Sequence, residues 1–167
     1  MAHPLLGLPP SDPTVGHPEA AARLRAQRSR VGRLAMEAAL RIDPTLGDRH
    51  DDLALRRLLR DLDRHVEQLA RALETGEERF VVQYAEWLVP VYRRRHVRMK
   101  DLATIIDGLG EATLAVLPAR DAPTARAMLD AWVARLRHHR RLPGDHRGNA
   151  MVRFIWKGAG LGDDTVV

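Results

Sequence analysis

The sequence predicts an all-α, single-domain bundle of five or six helices. Three observations carry that expectation. Leu55, Leu59, Leu62, Val66, Leu69 and Leu73 repeat at spacings of 4, 3, 4, 3 and 4, which is a heptad seam. The other apolar clusters also recur at helical spacing. No stretch alternates apolar and polar residues over a useful strand length.

Residues 1–17 read as a flexible proline-rich arm, with Pro4, Pro9, Pro10 and Pro13 breaking any regular structure. Leu5, Leu6 and Leu8 give that arm apolar side chains with which to dock on the body or on a neighbouring subunit. The helical domain is expected over 18–157. A first helix starts at Pro18, with Glu19 at the positive end of its dipole, and runs to Ile42. Its stripe is Leu24, Val31, Leu34, Ala35, Ala38 and Ile42, and Asp43-Pro44-Thr45-Leu46-Gly47 ends it. A second runs from Asp51 to Thr75, where acids suit the helix start and Gly76 stops the end.

The third helix, Glu77 to Arg95, holds four of the seven aromatic residues: Phe80, Tyr84, Trp87 and Tyr92. Its apolar residues cover most of its girth, which predicts a helix surrounded by others, and Pro90 predicts a kink. The fourth, Lys100 to Val116, contains Gly108 and Gly110. Glycine is costly mid-helix, so another backbone or a ligand is expected to come close there. The fifth runs from Pro123 to Arg141, with Asp121 as its cap and a face of Ala125, Met128, Leu129, Trp132 and Leu136. A short sixth helix is expected around 149–157 with Val152, Ile155 and Trp156 buried, and 158–167 reads as a loose tail. The seams of the second and fourth helices need partners, which predicts a homodimer.

Composition removes several function classes. The chain has no cysteine, which excludes disulfides, thiolate catalysis and cysteine-ligated metal. Serine occurs only at Ser11 and Ser29, and neither sits in a nucleophile turn. Gly158, Gly160 and Gly162 follow no strand and precede no helix, so they are not a dinucleotide fingerprint. No run of 18 apolar residues is present, and the first residues lack the pattern of a secretory signal. The expectation is a cytoplasmic protein that is not an enzyme and does not enter a membrane.

The formal net charge is +5, almost all of it from arginine, since lysine occurs only at Lys100 and Lys157. Arg93, Arg94, Arg95 and Arg98, with Arg137, Arg140 and Arg141, form two clusters at helix C-termini, where cations are favoured in any case. They offer a surface for an anion or an acidic partner. They lack interleaved aromatics and a helix-turn-helix signature, so nucleic-acid binding is the weaker expectation. Asp61 and His65 lie four apart, a chelating spacing, but local pairs Asp61–Arg64 and Glu67–Arg71 are equally available. No Glu-x-x-His pair exists for a di-iron site. A cofactor is not expected. The alternative is a tetrapyrrole or other flat small molecule walled by Tyr84, Trp87 and Trp132, with His65 or His96 as axial ligand.

The run from Phe80 to Leu109 has an aromatic residue, then Tyr-x-x-Trp-Leu, a basic block, a short turn and a leucine-rich helix. Over about residues 58–117 the chain resembles the N-terminal helical sensor domains of bacterial stressosome co-antagonist (Rsb-type) proteins. It is also similar to helical domains that precede some cobalamin-binding domains. Phe80, Tyr84, Trp87, Leu88, Val97, Leu102 and Ile106 carry the resemblance. It implies a globin-like or bundle-like domain that dimerises and relays signals by protein contact, without catalytic residues. Such domains precede an effector domain. The sequence here runs into a tail instead, so the expected output is another protein.

Overall fold

The computed structural model describes residues 16–140, which form seven α-helices and no strand among the described residues. They are α1 (Pro18–Ala26), α2 (Arg28–Ile42), α3 (Leu46–Arg49), α4 (Asp52–Thr75), α5 (Arg79–Arg94), α6 (Met99–Val116) and α7 (Ala122–Arg140). They pack as one helical bundle around a continuous apolar core. No helix among the described residues is long and apolar enough to cross a membrane. The arm over 1–15, the expected helix at 149–157 and the tail at 158–167 lie outside the described residues.

Seven helices replace the expected five or six for two reasons. The expected first helix divides at Gln27, whose φ of −109° and ψ of 15° leave the helical region. Neither proline nor glycine causes this. The two halves face different partners, α1 against α4 and α2 chiefly against α6, and a straight rod cannot serve both. The second addition is the short α3, inside what reads as a loop. There Asp43 accepts hydrogen bonds from the Thr45 N–H (3.1 Å) and hydroxyl (2.6 Å), which turns the chain into a new helical turn.

This corner is pinned to the start of α6 by charge. Asp101 is 1% exposed, so its carboxylate must be paired. Arg49 donates to it at 2.8 Å and to Asp43 at 2.9 Å, and the His50 ring lies 2.9 Å away. Hydrogen bonds from Thr45 and Arg49 hold the Asp43 carboxyl down at about 2. The ends of α4 follow the sequence rules. Asp51 accepts from the Ala54 N–H at 2.7 Å, and Gly76 takes a left-handed φ of 70°.

Helix α6 is the most enclosed element, buried by α2 on one side and α7 on the other. Gly108 explains how α2 comes so near. A Cβ there would lie 2.4 Å from the Ala35 carbonyl oxygen and 2.8 Å from the Ala39 nitrogen. The expected close backbone is therefore that of α2. Gly110 has no such constraint, since its Cβ would meet only Leu129 Cδ1 at 3.8 Å. The heptad seam of α4 is filled within the chain by α1, α2, α5 and α7. Leu62, Val66, Leu69 and Leu73 are fully buried. Leu55 and Leu59, nearer its start, are partly exposed, so the seam is covered within the chain over most of its length.

Helix α5 departs from its expected setting. Val81, Ala85, Leu88, Val89 and Tyr92 are buried, but Trp87 is 53% exposed and Pro90 is exposed. α5 is flanked mainly by α7 and α4, and its outer side has no neighbour among the described residues. The helix continues through Pro90 without a break. It ends at His96, which takes φ 63° in place of the usual glycine.

The two glycines of α6 give opposite expectations. Gly108→Ala should destabilise by about 1–3 kcal/mol, because neither helix backbone can yield. Gly110→Ala should stabilise by about 0.4–1 kcal/mol, by reducing the freedom of the unfolded chain. Urea midpoints of the two variants against the parent protein measure both.

Candidate functional site

The aromatic residues that stand out in the sequence meet at the junction of α4, α5 and α7. α4 supplies His65, α5 supplies Tyr84, Trp87 and Tyr92, and α7 supplies Trp132. The Trp132 ring is fully buried and meets His65 and Tyr84 edge-on, with ring centres 5.7 and 5.3 Å apart. Its indole nitrogen has no hydrogen-bond partner among the described residues. Trp87 lies outside, stacked on Tyr84 at 5.6 Å and 17°.

His65 is 1% exposed and engaged at both ring nitrogens. Nδ1 lies 3.1 Å from the Tyr84 hydroxyl, and Nε2 lies 3.0 Å from the Tyr92 hydroxyl. Burial lowers its pKa from 6.5 to about 4, so the ring is neutral at pH 7. A neutral imidazole has one donor and one acceptor. The Tyr92 hydroxyl already donates to Asp61 Oδ2 at 2.9 Å, so it must accept from His65. The tautomer is therefore Nε2–H, and Nδ1 accepts the proton of Tyr84. The chain runs in one direction: Tyr84 to His65, to Tyr92, to Asp61. Burial raises the pKa of both tyrosines further above 10, which keeps each O–H in place.

Asp61 is also paired with Arg95, just past the end of α5. The guanidinium of Arg95 covers the Tyr92 ring at 4.9 Å. The local pairs offered by the sequence give way to links between helices. Asp61 pairs with Arg95 rather than Arg64, and Glu67 accepts from Arg25 at 2.9 Å rather than from Arg71.

The candidate ligand residues thus fall into three settings. His65, Tyr84 and Trp132 share one closely packed interior, joined by Tyr92, which was not among the candidate ligand residues. As an axial ligand, His65 would have to give up Tyr84 or Tyr92. Trp87 borders a surface groove of about 350 Å³ with Tyr84, Arg64, Glu67 and Gln68. A small hollow beside it is lined by His65, Tyr84, Val91, Tyr92, Asp61 and Arg95. His96 sits in the exposed turn between α5 and α6, outside the ring cluster. No group of three or more metal-ligating side chains occurs among the described residues.

The arginine clusters are not one surface. Arg93 donates to the His139 carbonyl at 3.1 Å, and Arg137 pairs with Asp107 at 2.9 Å. Arg95 is committed to Asp61. Arg94 and Arg98 are exposed. The side chain of Arg140, and all of Arg141, lie outside the described residues. Glu86, paired with Arg135 and with the His139 ring at 2.9 Å, ties α7 to α5 beside these residues.

Because Trp87 is exposed and Trp132 is not, their truncations should differ. Trp132→Ala should cost about 3–5 kcal/mol. Trp87→Ala should lie within about 0.5–1 kcal/mol of the parent protein. Chemical denaturation distinguishes them.

The depressed His65 pKa makes a second prediction. Above pH 6.5 the ring is neutral in both states, and its burial carries no protonation penalty. As pH falls from 6.5 towards 4 the unfolded chain takes up a proton that the folded one refuses. The His65 contribution to stability should drop by about 3 kcal/mol across that window and level off below it, where paired carboxylates such as Asp43 carry the further loss. Denaturation series at steps of pH should show this fall, and His65→Gln should remove most of it. The chain matches no protein-family model, and no curated protein matches it.

Proposed function

We propose that this protein is a non-enzymatic regulatory or sensory domain that acts through protein–protein contact, with the face around Trp87 as its contact surface. One observation carries the reading. A large aromatic side chain, 53% exposed, stacks on a tyrosine that is itself fixed by a buried hydrogen-bonded chain. A tryptophan placed only for packing gains by turning inward. A rigid, exposed one has the profile of an interface anchor. The groove beside it adds apolar surface for a partner to cover.

The resemblance of residues 58–117 to stressosome co-antagonist sensor domains, with the globin-like arrangement it implies, supports the same proposal. So does the absence of a catalytic constellation from that resemblance. A homodimer belongs to the proposal as well, formed on exposed faces, because most of the α4 and α6 seams are covered within the chain.

A photo-crosslinking amino acid placed at position 87 in the producing cell tests the reading. It should give a discrete adduct with a second polypeptide, heterologous or a second copy. Adducts no stronger than those from the same probe at exposed Arg126 would overturn it.

A further inference from the structure

Two rows of side chains run side by side on the face that carries Trp87. α5 contributes Phe80, Tyr84, Trp87 and Val91, spaced by four, three and four. α4 contributes the exposed Arg57, Arg60, Arg64 and Arg71, spaced by three, four and seven. Both spacings keep a row on one side of its helix. The rows meet at Arg71 and at Arg64. The Arg71 guanidinium lies 4.8 Å from the centre of the Phe80 ring. Arg64 forms one wall of the groove that Tyr84 and Trp87 form on the other. Past Val91, Arg95 closes the end. Arg94, exposed, stands seven residues beyond Trp87 on the same side of α5.

The charges along this face do not cancel. The two carboxylates that line the groove and its hollow are already occupied, Glu67 by Arg25 and Asp61 by Tyr92 and Arg95. Among the described residues no carboxylate pairs with Arg57, Arg60, Arg64, Arg71 or Arg94. The result is an apolar groove with a basic border.

We infer that this groove docks an acidic segment of a partner protein. One bulky apolar side chain enters beside Trp87, and flanking carboxylates rest on Arg64 and Arg60 on one side and Arg94 on the other. Helix-bordered grooves of this kind take a peptide by an apolar anchor, with charge setting partner and register. This inference rests on the protein-contact reading above and narrows its partner. Arginine beside aromatic rings also suits single-stranded nucleic acid, but that mode needs open ring faces for successive bases. Here the Tyr84 hydroxyl is turned inward to His65, and one face of Trp87 is taken by Tyr84.

Selection of a randomised linear-peptide display library on the immobilised full chain tests the inference. The enriched peptides should carry two or more Asp or Glu within four residues of an aromatic or branched aliphatic residue. A synthetic peptide of that class should lose about tenfold or more in affinity with Trp87→Ala, and likewise with Arg64→Glu. Its binding to the parent protein should weaken as salt rises. Both positions are exposed, and melting curves verify that the variants fold. Selection without acidic enrichment, or acidic peptides bound equally by both variants, would overturn the inference. So would a thymidine oligonucleotide that outcompetes the peptide and loses affinity with the same substitutions. A crosslinked partner at position 87 without acidic enrichment would remove this inference and leave the contact reading standing.

Discussion

A neutral imidazole with both nitrogens occupied sets the relation of α4 to α5. His65 is buried, so each ring nitrogen left without a partner would cost about 1–3 kcal/mol. Its two partners, Tyr84 and Tyr92, stand eight residues apart on α5, close to two full turns and thus on one side of the helix. Sliding α5 along α4 by a single residue, about 1.5 Å, would break at least one of these bonds. Asp61, one turn before His65 on α4, then fixes which way the protons point. The arrangement specifies register in a bundle whose apolar contacts alone would tolerate several.

A second constraint acts between α2 and α6. Gly108 lets the backbone of α2 touch that of α6, and the Asp101 cluster ties the start of α6 to the α2–α4 corner. Between them these features place α6 at the centre, with eleven buried positions against five on α5. α5 is therefore a boundary helix. Its inner side carries the tyrosines of the polar chain, and its outer side is left to solvent.

This division explains what could be read from the sequence. The seam of α4 and the caps at Asp51 and Gly76 were legible because each depends on residues within a few positions of one another. The glycine at 108 was legible as a close approach, although only the fold names α2 as the neighbour. The setting of α5 was not legible, because apolar residues around a helix do not say which flank has a neighbour. The Asp61–His65 spacing was visible as a polar pair on α4, but its meaning lies in tyrosines 19 and 27 residues further along. The bend at Gln27 has no local signal, since its cause is that α1 and α2 answer to different helices. Ion pairs misled for the same reason: partners on the same helix were available, and partners on other helices won.

The interior chain and the outer groove meet in one residue. Tyr84 gives its hydroxyl to His65 and its ring to Trp87, so the orientation of the exposed tryptophan is set from inside the protein. Holding Trp87 in place before any contact forms reduces the side-chain entropy lost on binding, which is about 0.5–1.5 kcal/mol per immobilised side chain. Tyr84 is held in turn by Tyr92 and Asp61 through His65. The buried polar groups thus give the outer surface a defined shape, because directional bonds fix the Tyr84 ring where an apolar core would hold it by packing alone.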